Sequence, residues 1–209
     1  MFQFGGGGPH LPDDPDAPVQ WTAVLDGRPV TWAVRRRLHD KDVALLPGSE
    51  LLPDLLGVAG ERRLRVGLVG GSAATRTAWP ASLRRDYPGS EPAGEWEVDW
   101  SWLDRPEFGA ELATRIAAAR VDMLVVSLGK PRQELWLRDH VAATGASLAL
   151  PFGSAVDYIA GTKERPPQWA AEHGVEWLVR LVKEPRRLWK RYLVEGPIAV
   201  SRLRTIREL

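Results

Sequence analysis

Arg65-Val-Gly-Leu-Val-Gly-Gly-Ser72 is the stretch from which the architecture of this chain can be read. Arg65–Val69 is a short apolar run, the pattern of a strand buried in a sheet. Gly70-Gly71-Ser72 then turns the chain, and a helix is predicted from about Ala73 to Arg85, stopped by Tyr87-Pro88-Gly89. Strand, glycine turn and helix in that order make the first half of a βαβ unit.

Working outward, the same alternation recurs. Downstream, Trp96, Val98 and Trp100 alternate with Glu97, Asp99 and Ser101, predicting a strand. A helix is predicted over Pro106–Arg120, with Phe108, Leu112 and Ile116 spaced by four. Val121–Leu128 reads as an apolar strand, followed by Gly129-Lys130-Pro131 and a helix to about Ala143. Ser147–Leu150 is a further short strand, leading through Pro151-Phe152-Gly153-Ser154 into a helix over Ala155–Ala160. Upstream, Trp21–Leu25 is a short apolar run ending at the turn signal Asp26-Gly27, which puts Asp26 just past a strand. Val30–Leu38 continues as a helix with Arg35 to Arg37 clustered on it. Ser49 is the expected N-cap of another helix, with Leu51, Leu52, Leu55 and Leu56 on its apolar face. The expected fold class is therefore α/β, a Rossmann-like, mainly parallel sheet flanked by helices, with a basic C-terminal helical appendage. The expected organisation is a Gly/Pro leader over 1–20, the α/β domain over 21–162 and the appendage over 163–209.

Composition narrows the function. A chain of 209 residues with 44% hydrophobic and 26% charged residues builds one real core, plus at most an appendage. It has no cysteine, which excludes a disulfide framework, a thiol nucleophile and a Cys-based zinc site. The four histidines show no metal-ligand spacing, so no metal is expected. No apolar stretch approaches the about 20 residues of a membrane span, and the Gly-, Pro- and Asp-rich start is no signal peptide. These features point to a cytoplasmic setting. The net charge of +1 conceals an asymmetry: from Lys163 onward 11 basic residues face 6 acidic ones (+5), against 17 and 21 before it (−4). A basic tail on an acidic body calls for an anionic partner.

The carboxyl ends of the expected strands fall at Gly70-Gly71, Gly129-Lys130 and Gly153, where open α/β sheets bind ligands. Glycine admits close backbone approach, and a following helix N-terminus offers N–H groups to phosphate. Glycines also end strands for reasons of chain reversal alone, and position does not separate the two readings. Neither G-x-G-x-x-G nor the P-loop pattern is present, which demotes ordinary dinucleotide-dependent dehydrogenases and P-loop enzymes.

The tail is helical in pattern but broken at Pro166-Pro167, Glu184-Pro185 and Gly196-Pro197. Trp177, Leu178, Leu181 and Val182, then Leu188, Trp189, Tyr192 and Leu193, lie at helical spacing beside Arg180, Arg186, Arg187 and Arg191. Such faces suit a bilayer interface, or a helix packed on the body with its arginines solvated. A nucleic-acid partner is not expected, since no recognised module accompanies the charge.

Three segments resemble a known family. Val126-Ser-Leu-Gly-Lys-Pro-Arg-Gln-Glu-Leu-Trp136 is similar to the Gly-x-Pro-[Lys/Arg]-Gln-Glu-x-Trp signature of the WecG/TagA/CpsF glycosyltransferases. Phe152–Gly161 with Lys163–Trp169 resembles their Gly-x-x-x-Asp-[Phe/Tyr]-x-x-Gly and Arg-Ala-Pro-x-Trp block. Gly174–Tyr192 resembles their Gly-Leu-Glu-Trp to Glu-Pro-x-Arg run. Order and spacing agree over roughly Trp21 to Pro197.

The resemblance implies transfer of an N-acetylhexosamine-type sugar, N-acetylmannosamine-like, from a UDP donor to a polyprenyl-diphosphate-linked sugar. It implies inversion, no essential metal and no cofactor, at the inner face of the plasma membrane, in cell-surface polysaccharide or teichoic acid synthesis. Within it, Asp26 matches the aspartate of an Asp-Gly-x-x-Val segment, the implied base for the acceptor hydroxyl. Gln133 matches the glutamine placed for donor sugar or uracil, and Glu134 is a second binding residue or a capping carboxylate at the helix start. Gly70, Gly71, Gly129, Lys130, Gly153, Asp157 and Glu50 complete the expected donor site. Arg180, Arg187 and Arg191 are the candidates for the diphosphate. An anionic membrane surface is the implied partner, and a homo-oligomer is compatible with the sequence.

Departures accompany the match. Leu45 stands where the family usually has arginine, and Glu50 where it has aspartate. The usual opening strand and helix with a Thr-x-Asn segment are replaced by the Gly/Pro run, so a sheet edge is expected to lack a partner. The alternative function is accordingly a truncated homologue that binds nucleotide or lipid diphosphate without turnover.

Overall fold

The structure, a computed structural model, describes residues 19–22, 24–26, 28–99, 101, 105–167, 170, 176–183 and 185–189. They fall into two compact units: one contains Gly48–Glu164 with residues 19–21, the other the described parts of Thr22–Pro47 and Arg165–Leu209.

The first unit is α2 (Gly48–Glu61), β1 (Arg65–Gly70), α3 (Ala73–Asp86), β2 (Glu91–Trp96), α4 (Pro106–Ala118), β3 (Met123–Ser127), α5 (Arg132–Thr144), β4 (Leu148–Leu150) and α6 (Ala155–Ile159). All its strand pairs are parallel and the order is β2-β1-β3-β4. This is the α/β, Rossmann-like sheet the alternation predicts. Strand residues alternate between two cores. Val66, Leu68, Met123, Val125 and Leu150 face Leu52, Leu56, Trp79, Leu83, Val156 and Ile159 of α2, α3 and α6. Val69, Leu124 and Val126 face Trp96 of β2 and Leu112, Ile116, Trp136, Leu137 and Val141 of α4 and α5, with Val19 and Trp21 packed alongside. Helices therefore cover both faces, which explains why Val66–Gly70 of β1 and Met123–Val126 of β3 are apolar on both sides.

The second unit contributes α1 (Arg28–Leu38), α7 (Glu176–Lys183) and α8 (Pro185–Trp189). Thr31 and Val34 form the buried side of α1.

Three local expectations are corrected. The described residues of Trp21–Leu25 form no strand; Leu25 instead meets the loop after α1, with Leu46 N donating to Leu25 O at 2.9 Å. Asp26 therefore does not follow a sheet strand. The strand expected over Trp96–Ser101 lies upstream as β2, Glu91–Trp96, and the alternating residues Val98 and Asp99 are outside it. Pro92 and Gly94 disguise β2 as a loop, but an edge strand tolerates both, and the register slips between Val66 and Gly67 to accommodate them. Ser49 is not an N-cap, because α2 already starts at Gly48 and places Ser49 inside the first turn. Leu52 and Leu56 are its buried leucines, while Leu51 and Leu55 are half-buried.

Candidate active site at the strand tips

The strand order reverses about β1, which has β2 on one side and β3 on the other, so the tips of β1 and β3 form a topological switch point. There the two tips touch. Gly71 N donates to Ser127 O at 3.0 Å, and a Cβ built on Gly70 would lie 2.5 Å from that same oxygen. Gly70 and Gly71 both hold positive φ, 80° and 75°, which glycine alone adopts without strain. The tip of β4 is drawn in as well. Ser127 Oγ donates to Gly153 O at 3.0 Å, and Gln133 Nε2 donates to Pro151 O at 2.7 Å. Gly129, at φ 72°, has open space where a side chain would be, as does Gly153. Lys130 is exposed on the turn between Gly129 and α5.

Glu50 is exposed in the first turn of α2. That turn is placed by Gly48, where an added Cβ would come within 3.0 Å of the Phe152 ring, beyond β4. The expected binding residues Gly70, Gly71, Gly129, Lys130, Gln133, Glu134, Gly153 and Glu50 are thus carried by the loops and helix starts at this end of the sheet. Gln133 and Glu134 begin α5 but point into the protein rather than to solvent, at 1% and 2% exposure.

Asp157 is engaged within the fold. Thr75 Oγ1 donates to its Oδ1 at 2.7 Å and Lys163 Nζ pairs with its Oδ2 at 3.1 Å. Since the one Thr75 hydroxyl hydrogen goes to Asp157, Ser72 Oγ, 2.8 Å away, is the donor in its contact with Thr75. Ser72 Oγ in turn caps α3 by accepting from Thr75 N at 3.1 Å. Thr162 Oγ1 lies 3.1 Å from the Thr75 hydroxyl, and Thr162 N donates to Asp157 O at 2.9 Å. This network ties the start of α3 to the end of α6. Arg76 reaches back to Gly71 O at 2.7 Å and pairs with Glu97 at 2.9 Å. Sequence reading missed Ser72, Thr75, Arg76, Ser127 and Thr162; the cap spacing of Ser72 was the only local signal, because the other contacts cross long separations.

Among the carboxyls on the strands of this sheet, Glu95 of β2 is perturbed. Burial pushes its pKa above the ordinary value, and the Arg84 charge offsets this in part. Among the described residues no group of three His, Asp or Glu side chains is arranged to hold a metal ion.

In the second unit Asp26 is exposed, two residues before α1. α7 presents Leu178 and Val182 to solvent, the latter 73% exposed, and α8 presents Trp189 at 51%. The side chains of Arg180 and Arg187, and the whole of Arg191, lie outside the described residues. No described helix is long and apolar enough to cross a membrane.

A parallel sheet covered on both faces, with glycine-bearing tips meeting at its switch point, defines a Rossmann-like α/β protein. The family model described as the glycosyl transferase WecG/TagA/CpsF family matches residues 19–208, and the chain belongs to that family. It is accordingly a glycosyltransferase of cell-surface polysaccharide synthesis, with a sugar donor and an acceptor as substrates.

Proposed function

We propose that the chain moves an N-acetylhexosamine-type sugar, N-acetylmannosamine-like, from a UDP donor to a polyprenyl-diphosphate-linked sugar at the inner face of the plasma membrane. The observation that carries this reading is the contact of the β1 and β3 tips beside the buried Gln133–Glu134 pair. It is a place where backbone and side-chain polar groups can surround a nucleotide sugar. Gly70, Gly71, Gly129, Lys130 and Gly153 line the donor site in this reading, with Glu50 at its edge.

The chemistry is a single displacement. The Asp26 carboxylate takes the proton of the acceptor hydroxyl as its oxygen attacks the anomeric carbon from the face opposite UDP. The bond from that carbon to the β-phosphate oxygen breaks, configuration inverts, and UDP leaves with the electron pair. Arg180, Arg187 and Arg191 supply positive charge to a diphosphate, of leaving group or lipid carrier. The exposed apolar side chains of α7 and α8 support docking on an anionic bilayer.

The test is incubation with UDP-N-acetylmannosamine and a lipid-diphosphate-N-acetylglucosamine analogue, comparing the native chain with Asp26→Asn. The expected outcome is UDP release by the native chain and a loss on the order of 10²-fold or more in the variant. Equal release by both removes Asp26 as base. Release by neither favours a homologue that binds nucleotide or lipid diphosphate without turnover.

A further inference from the structure

Gln133 and Glu134 open α5 beside the ends of β3 and β4, and their enclosure makes every polar atom they carry accountable. The Gln133 nitrogen is fully used. Nε2 donates one hydrogen to Pro151 O at 2.7 Å and the other to Glu134 Oε1 at 3.1 Å. A backbone carbonyl only accepts, so the amide nitrogen, not its oxygen, must face Pro151, and the orientation of the group is fixed. Two atoms are left over, Gln133 Oε1 and Glu134 Oε2, both buried and without a hydrogen-bond partner among the described residues. Both are acceptors. A buried acceptor left unsatisfied is costly, and a ligand or solvent donor relieves that cost.

We infer that Glu134 is a positioning residue of the donor site: it holds the Gln133 amide so that Gln133 Oε1 is presented to a ligand as an acceptor. The group recognised there is a neutral hydrogen-bond donor, an O–H or N–H of the nucleoside or of the transferred sugar, and not the diphosphate, which has acceptors of its own. This rests on the nucleotide-sugar reading above and adds the polarity of one contact within it. Helix capping, the other role for a carboxylate at this place, does not account for the bond from Gln133 Nε2 or for the depth of burial.

Glu134→Met removes both carboxyl oxygens at similar volume, whereas Glu134→Gln keeps one oxygen able to accept from Gln133. Calorimetric titration of the full chain and both variants uses three probes: UDP, UDP-N-acetylhexosamine and inorganic pyrophosphate. Glu134→Met is expected to weaken UDP-N-acetylhexosamine on the order of tenfold while leaving pyrophosphate within about twofold. Glu134→Gln is expected to stay within about threefold of the native chain. An equal loss with UDP alone assigns the recognised donor to the nucleoside; a loss confined to the nucleotide sugar assigns it to the sugar. Loss of pyrophosphate binding in parallel, no loss at all, or a Glu134→Gln variant as weak as Glu134→Met overturns the inference.

A ligand-free measurement separates this failure from that of the parent reading. In the native chain both side-chain amide hydrogens of Gln133 are expected to exchange slowly by NMR, and in Glu134→Met one of them to exchange faster. Fast exchange of either hydrogen in the native chain overturns the positioning arrangement. Slow exchange with no binding of UDP or UDP-N-acetylhexosamine instead overturns the nucleotide-sugar reading and, with it, the ligand assignment.

Discussion

Thr75 shows how one side chain can join distant parts of the chain. It is fully buried, and its hydroxyl donates to Asp157, 82 residues away. Thr75→Val keeps the shape but takes a hydrogen-bond donor from the part-buried Asp157 carboxylate, and is expected to cost about 1–3 kcal/mol of stability in urea denaturation. Glu95 works in the opposite sense. Its folded pKa is raised above 4.5, so burial penalises the ionised form, and that penalty is fully present above the folded pKa. It fades as pH falls through that value. Glu95→Gln is therefore expected to raise the melting temperature at neutral pH, with the gain shrinking as acid is added and gone below 4.5. A thermal melt series across pH would show it. Neither residue was legible in the sequence as a key position. Thr75 is an ordinary helix residue until Asp157 is brought beside it, and Glu95 sits in a segment whose proline and glycine hide a strand.

At the scale of elements, the readable parts were those whose pattern is strong and local. β1 and β3 are buried on both faces, so their apolar runs need no context, and glycines mark where they stop. The glycine-bearing tips of β1 and β3 were legible for the same reason. β2 was misplaced because alternation in Trp96-Glu-Val-Asp mimics a strand, while the true strand passes through Pro92 and Gly94 at the sheet edge. Burial of Gln133 and Glu134 was also invisible, since polar residues at a helix start ordinarily face water. In α7, Leu178 and Val182 are one turn apart and both exposed, an arrangement that a bilayer can cover. The double substitution Leu178→Ser and Val182→Ser is expected to reduce co-sedimentation with anionic vesicles severalfold without unfolding the chain, because neither side chain is buried. Unchanged sedimentation would remove α7 from the membrane contact.

The whole molecule divides its charge unevenly, with +5 from Lys163 onward and −4 before it. An acidic body is repelled by an anionic bilayer while a basic tail is drawn to it, so vesicle binding should be oriented as well as attractive. Because exposed charges are screened over about 8–10 Å at physiological ionic strength, raising salt is expected to release the native chain from anionic vesicles. Binding that is indifferent to salt, or equal on neutral vesicles, would make the apolar side chains the whole of the attraction. The family match across residues 19–208 spans both compact units, so neither by itself is the unit of the family.

The four-stranded sheet has β2 and β4 at its borders, and each is poorly suited to recruiting a foreign strand. β4 is three residues long, and β2 carries a proline without an N–H together with a break in register. Neither border offers a long, regular row of donors and acceptors on which a second molecule could add by strand pairing. The irregularity that hides β2 from a pattern search thus also leaves little for a second copy to extend, which works against fibril growth.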